Sequence, residues 1–225
     1  MRLRHGTPGF QGEAAPAPQL VARLEAARLY FVTPDRDPDA LRPLVEAALR
    51  GGADVVQLRH KSLPRGELLG LARSLRKLVT GERLFIVNDH VDIALLSGAD
   101  GVHLGADDLD LQAAREIAGE RLLIGASAST PETAEHAVAA GADYLGTGAT
   151  FATPTKAGKQ VIGPAGVAAV AHAVAVPVFA IGGIDASNLG RLTALGIHRA
   201  CVVRAIGDAN DPESAARTLR AMLSA

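Results

Sequence analysis

The chain has no Trp, one Cys and an aromatic content of only 3 %. A lone thiol, Cys201 in an apolar run, excludes a disulfide framework and a cluster of soft metal ligands, which makes a cytosolic setting the expectation. No run of residues reaches the ~18 consecutive apolar positions of a membrane helix, and the first residues lack the apolar stretch of a secretory signal. A soluble protein without a membrane partner is expected. Net charge is −1 with no polybasic stretch, so the field that nucleic-acid binding needs is missing. A homo-oligomer is compatible with this composition.

What is present is aliphatic. Apolar residues make up 48 % of 225 positions, so Ala, Val, Leu and Ile must fill the core, as suits a parallel sheet buried on both faces. From Arg28 onward short apolar runs alternate with amphipathic stretches, the pattern of parallel strands joined by helical crossovers. Strands are predicted at Leu29–Thr33, Val55–Leu58, Leu84–Asn88, Gly101–Leu104, Leu122–Ser127, Tyr144–Gly146, Val178–Ile181 and Ala200–Val203. Helices are predicted at Asp37–Arg50, Arg65–Thr80, Asp110–Ala118, Pro131–Ala140, Pro164–Val174, Ala186–Leu195 and Asp211–Leu223, with a short link at Asp89–Leu96. The expected fold is one α/β domain, a (β/α)8 barrel over 27–225. Residues 1–26 precede it as a flexible extension able to turn helical at Leu20–Ala27.

A phrase recurs where helices stop and strands start: Gly52-Ala53-Asp54, Gly98-Ala99-Asp100 and Gly141-Ala142-Asp143, with a looser copy at Gly196-Ile197. Each copy puts Gly at a helix end, and the copies precede the even-numbered strands. This is repeated turn chemistry within one barrel and carries no catalytic signal.

Active sites of such barrels lie at the C-terminal ends of the strands. There, alternation sends Gln57, Arg59 and Lys61 to one side of the second strand. The third strand delivers Asn88 and Asp89, and Asp107-Asp108 follows the fourth; carboxylates from two loops suit Mg²⁺, although Asp107 or Asp108 could equally cap the next helix. Ser127 ends the fifth strand without a visible His/Asp partnership that would make it a nucleophile, and Thr130 can cap the helix beginning at Pro131. The loop after the sixth strand carries Thr153, Thr155 and Lys156, an anion grip in composition and equally an ordinary solvated loop. Gly182-Gly183 and Val203-Arg204 follow strands seven and eight, where many barrels bind phosphate. His103 and Cys201 read as packing residues, and nothing marks His60 as a titrating group.

Taken together, Gln57-Leu58-Arg59-His60-Lys61, Val87-Asn88-Asp89, Gly101 to Asp108, Thr153-Pro154-Thr155-Lys156 and Ala180-Ile181-Gly182-Gly183-Ile184 resemble the thiamine-phosphate synthase family from about Leu29 to the C-terminus. The resemblance implies a Mg²⁺-dependent transferase. It joins an aminopyrimidine methyl diphosphate to a thiazole phosphate, both small molecules, and releases diphosphate. It further implies that Gln57, Arg59, Lys61 and Asn88 hold the pyrimidine diphosphate, Asp89 and Asp108 the Mg²⁺, and Ser127 and Lys156 the reacting end of that substrate. Thr153, Thr155, Gly183, Val203 and Arg204 are left for the thiazole phosphate. Catalytic roles fall to Arg59, Lys61, Ser127 and Lys156. Three positions depart from the family pattern: His60 stands for an acidic residue, Ser129 for His and Arg204 for Ser. The related thiazole tautomerase, which needs a proton-moving His, and a non-catalytic phosphate-binding barrel are the alternatives.

Overall fold

The computed structural model describes residues 17–153 and 160–224. Eight parallel strands close into a barrel in sequence order. They are β1 (Leu29–Val32), β2 (Val55–Leu58), β3 (Leu84–Asn88), β4 (Gly101–Leu104), β5 (Leu123–Ala128), β6 (Tyr144–Thr147), β7 (Val178–Ile181) and β8 (Ala200–Val202). The helices are α1 (Pro18–Ala26), α2 (Pro38–Arg50), α3 (Arg65–Arg76), α4 (Val91–Ser97), α5 (Leu111–Ala118), α6 (Pro131–Ala139), α7 (Gly163–Ala173), α8 (Gly190–Thr193), α9 (Arg204–Gly207) and α10 (Pro212–Met222). Side-chain caps start several of them, with Asp37, Asp110, Thr130 and Asp211 accepting backbone N–H groups of the first turn.

Alternation along each strand divides the core in two. Outward residues such as Phe31, Val56, Phe85, Val102 and Ile124 pack under the helices, while Tyr30, Val55, Ile86, Leu123, Tyr144, Phe179 and Cys201 fill the barrel. Aliphatic composition alone understates the aromatics here. Tyr30, Phe31, Phe85, Tyr144 and Phe179 are among the largest fully buried side chains.

The Gly-Ala-Asp phrase gains a structural role. Gly52, Gly98 and Gly141 take φ values of +97°, +70° and +99°, which let the chain reverse out of the helix. The Asp that follows then latches the preceding strand. Asp54 Oδ2 accepts from Arg28 N and Leu29 N (2.8 and 2.9 Å), Asp100 Oδ2 from Phe85 N (2.8 Å) and Asp143 Oδ2 from Ile124 N (2.7 Å). Each carboxylate is also paired with an Arg, namely Arg220, Arg76 and Arg115 respectively. Burial nevertheless raises the Asp143 carboxyl above its ordinary value, outweighing the Ile124 N–H and Arg115. Asp54→Ala strands two backbone donors, so we expect a loss of about 2 kcal/mol, read from the urea midpoint at unchanged m-value.

The flexible extension expected over 1–26 divides. Residues 1–16 lie outside the described residues. Residues 17–26 lead into and form α1, which closes the N-terminal end of the barrel. Its Leu24 joins the interior cluster with Val55, Leu84 and Leu123, Arg23 reaches Arg83 O and Asp100, and Arg199 donates to Glu25 O at 2.8 Å. All of these lie at or just before strand starts. The plug therefore belongs to the barrel, and burial of Leu24 stabilises it by roughly 1.5–3 kcal/mol. Among the described residues no helix is long and apolar enough to cross a membrane.

Candidate active site

A cavity of about 1080 Å³ opens at the C-terminal ends of the strands. The inward residues of the uppermost layer change character along the barrel: Gln57, Asn88, His103 and Ser127 stand where Val55, Ile86 and Leu123 stood one layer or more below. Parallel register sets them side by side, with Asn88 opposite His103 and His103 opposite Gly125.

The floor is aromatic. Tyr30 and Phe179 meet edge to face at 5.3 Å and 78°, as do Tyr144 and Phe179 at 6.0 Å and 86°. Room for Tyr144 comes from Gly125, where a Cβ would sit 2.1 Å from Tyr144 Cζ. The chain has two Tyr, five Phe and no Trp, yet Tyr30, Tyr144, Phe151 and Phe179 all line this one cavity. A low aromatic content thus conceals a concentrated one. Burial first, and then the neighbouring Tyr144 and Cys201, raise the Tyr30 phenol well above its ordinary range, so it stays a neutral hydrogen-bonding group.

On one side of the floor the rim is charged. Arg59 and Lys61 line the cavity, while Leu58 between them and Gln57 packs into the outer core, as strand alternation requires. Among the described residues no carboxylate pairs with Arg59, which leaves its guanidinium available to an anion. Asp89 takes a left-handed backbone (φ 65°), a conformation in which Asp and Asn are enriched, and its N–H donates to His103 O at 2.9 Å. Its carboxylate pairs with Lys61 and lies within hydrogen-bonding range of Asp108. Burial works to raise Asp89, but Lys61 and Asp108 outweigh it and hold the group below its ordinary value. Asp108 goes the other way, raised by burial and by Asp89 beside it against a donated Gly105 N–H at 2.7 Å.

Two adjoining carboxylates, one lifted by the other, are the like-charge situation that a divalent cation relieves. The pair fits Mg²⁺. Among the described residues no group of three or more His, Cys, Asp or Glu side chains could hold a metal, so an ion here would take its remaining ligands from water and substrate oxygens, as Mg²⁺ prefers. Helix capping is not the role of Asp108, because Asp110 caps α5 through Ala113 N at 2.9 Å.

Opposite this edge the chain forms a glycine cradle. Gly182 and Gly183 adopt φ of +102° and +66°. The segment after β6 crosses directly over them: Phe151 N donates to Gly182 O (2.9 Å), and Thr150 donates to Ile181 O through both N and Oγ1 (2.8 and 3.0 Å). Asn188 Nδ2 holds the turn through Gly183 O at 2.8 Å. Thr153, Val203 and Arg204 line the same side, the last two where β8 passes into α9. Thr155 and Lys156 lie outside the described residues.

One reading changes. His103, expected as packing, lines the cavity beside Tyr144 with its Nε2 3.1 Å from Ser127 Oγ. The partnership was hidden because neighbours across a parallel pair are 24 positions apart in the chain; the readable signal was only that both residues hold inward positions at strand ends. Cys201 is buried within the barrel, as expected. His60 takes no part in the cavity: its Nε2 donates to Arg36 O (2.9 Å) and its Nδ1 lies 3.1 Å from Asp35 Oδ1, tying the β1 loop to the β2 loop. Ser129 and Arg204, the other departures, both line the cavity.

Glycine cradle, cationic edge and carboxylate pair thus surround an aromatic floor in one cavity at the C-terminal ends of the strands of a (β/α)8 barrel, where active sites of this fold lie. The family model described as thiamine monophosphate synthase matches residues 29–206, and the chain belongs to that family. It is 50 % identical over 194 residues to the thiamine-phosphate synthase of Gloeobacter violaceus, covering 86 % of this chain and 56 % of that protein. With the thiamine-phosphate synthase of Anaeromyxobacter dehalogenans it shares 42 % identity over 90 % of each. The thiamine phosphate pyrophosphorylase of Pyrococcus furiosus superposes with a TM-score of 0.80 at 36 % identity, over 91 % of this chain and 98 % of that one. The chain spans a little over half the length of several curated relatives, 56 %, 60 % and 57 % in three cases.

Proposed function

We propose that this protein is a thiamine-phosphate synthase, a transferase that joins an aminopyrimidine methyl diphosphate to a thiazole phosphate and releases diphosphate. The observation that carries the reading is one cavity lined by a cationic edge at Arg59 and Lys61 and by a glycine cradle at Gly182-Gly183, with aromatic rings in its floor, a lining suited to two separate anions. Two phosphorylated substrates, each carrying a flat ring, match that arrangement.

In the proposed reaction the C–O bond between the pyrimidine methylene and the diphosphate breaks with its electron pair leaving on the diphosphate. The thiazole nitrogen lone pair then forms the new C–N bond. Arg59 and Lys61 hold the leaving group where its charge develops, Asn88 adds an amide, and Asp89 and Asp108 would hold the Mg²⁺. Bound there, the ion would neutralise charge on the diphosphate oxygens. Gly183, Thr153, Val203 and Arg204 seat the thiazole phosphate so that its ring nitrogen is aligned before the bond breaks. Thr155 and Lys156 complete the two anion sites by resemblance.

Ser127, held by His103, supplies a polar contact to the reacting end. Ser127→Ala should slow turnover about tenfold, measured as initial diphosphate release.

A thiazole tautomerase is the second reading, and His103 in the cavity wall is the observation that favours it. Diphosphate release separates the two. Release that requires both substrates and Mg²⁺ is the expected result, whereas isomerisation of the thiazole phosphate without any release would replace the synthase reading.

A further inference from the structure

The cationic edge stands on a stretch of chain that the backbone ladder does not hold. Val32 lies opposite Gln57, and the ladder between β1 and β2 runs out with Thr33 N donating to Gln57 O at 2.9 Å. Continued in the same register, it would carry Arg59 N to Thr33 O, Asp35 N to Arg59 O and Lys61 N to Asp35 O. Side chains make these rungs instead. Thr33 Oγ1 accepts from Arg59 N at 3.0 Å and donates to Arg59 O at 3.2 Å. Asp35 Oδ2 accepts from Lys61 N at 3.2 Å, and its Oδ1 lies 3.1 Å from His60 Nδ1, so the carboxylate is itself held. The directions of the bonds to Arg59 and Lys61 are unambiguous, because a backbone N–H only donates and a carbonyl only accepts.

We propose that Thr33 and Asp35 are positioning residues for the diphosphate end of the site. Their side-chain oxygens carry the ladder beyond Leu58 and so aim Arg59 and Lys61 into the cavity. Thr33 is fully buried, and neither residue lines the cavity, so both act through the two cations. This inference rests on the proposed function and deepens it by naming what preorganises the grip on the leaving group.

The physical reason lies in the backbone. Bonds to the N–H and the C=O on either side of one Cα fix the direction in which its Cβ leaves, and Thr33 makes both for Arg59. A long cationic side chain with a fixed root has fewer conformations to lose when it closes on an anion. Stabilisation of a developing charge also depends on donors that are already in place. Without the hydroxyl, Arg59 N and O lose their partner and the chain beyond Leu58 is free to shift.

The test compares kcat and KM for the aminopyrimidine diphosphate in the intact wild-type chain, Thr33→Val and Thr33→Ser, well below their melting temperatures. Val keeps the branched shape and removes the hydroxyl, whereas Ser keeps the hydroxyl. Thr33→Val should lower kcat/KM about 10- to 100-fold with little change in KM for the thiazole phosphate, and Thr33→Ser should recover most of the loss. A residue that only stabilised the fold would lower the melting temperature and leave these constants alone. Wild-type kcat/KM in Thr33→Val, or a Thr33→Ser as poor as Thr33→Val, overturns the positioning role and leaves the synthase reading standing. Calorimetry with Mg²⁺ and inorganic diphosphate keeps the two readings apart. Weaker binding by Thr33→Val than by the wild type supports the positioning role even if the wild type releases no diphosphate from substrate, a result that would overturn only the synthase reading; equal binding overturns the positioning role. Should Thr33→Val not fold, Asp35→Ala in the exposed loop breaks the Lys61 rung. Removing a negative charge beside two cations would by itself favour an anion, so a fall in kcat/KM supports the side-chain ladder, and an unchanged or raised value overturns it.

Discussion

Replacing Asp89 with Asn is expected to slow diphosphate release by about 10²–10³-fold, the scale on which a single preorganised electrostatic group acts at a developing charge. The substitution isolates chemistry from folding. Asp89 sits at φ 65°, where Asn is tolerated as well as Asp, so the backbone turn and its N–H bond to His103 O survive the change. What disappears is the charge that Lys61 and Asp108 both address. The Mg²⁺ concentration for half-maximal rate should rise in parallel. Asp92→Asn is the matched control: its carboxylate pairs with Arg65 on the exposed surface, and such a pair contributes about 0–1 kcal/mol. Wild-type rates and an unaltered Mg²⁺ requirement in Asp89→Asn would remove the metal assignment.

Gly183→Ala should be the most damaging single methyl in the cradle. Its φ of +66° is one that a Cβ disfavours by about 1–2 kcal/mol. The added carbon would also lie 2.6 Å from Ala152 O and 2.9 Å from Phe151 O, both backbone atoms that can yield only if the overlying segment moves. Overpacking of that kind adds about 1–3 kcal/mol. We therefore expect a lowered melting temperature together with a rise of about 10- to 100-fold in KM for the thiazole phosphate, while KM for the pyrimidine diphosphate changes little. Equal rises for both substrates would show that the two anion sites are not separate.

Much of this architecture was legible in the chain, for reasons the structure makes concrete. The strands follow from apolar runs, three of them, β2, β4 and β6, with their starts marked by the Gly-Ala-Asp phrase, and the latch explains why the phrase recurs: its Asp anchors the first N–H groups of the strand before it. Helix ends were less readable. The stretch expected as a helix over Ala186–Leu195 shrinks to α8 because Asp185 and Asn188 bond the backbone themselves, Asp185 accepting from Ser187 N and Asn188 from Asp185 N. α3 stops at Arg76, whose guanidinium turns to Val79 O and Asp100. α9, four residues long, left no periodic signal.

At the site the residues that alternate from one strand end could be paired by eye, as with Gln57, Arg59 and Lys61. Contacts between strands could not. The meeting of Asp89 with Asp108, of His103 with Ser127 and of Tyr30 with Tyr144 depends on register, and the separation of 114 positions in the last pair has no local trace.

The aromatic floor also bears on how this protein can be watched. With no Trp, the only chromophores above the phenylalanine band are Tyr30 and Tyr144, and both sit in the cavity wall with their hydroxyls in contact. Above the phenylalanine band the native near-ultraviolet spectrum is therefore a signal from the cavity wall, so ligand entry can be followed in unlabelled, unmodified protein.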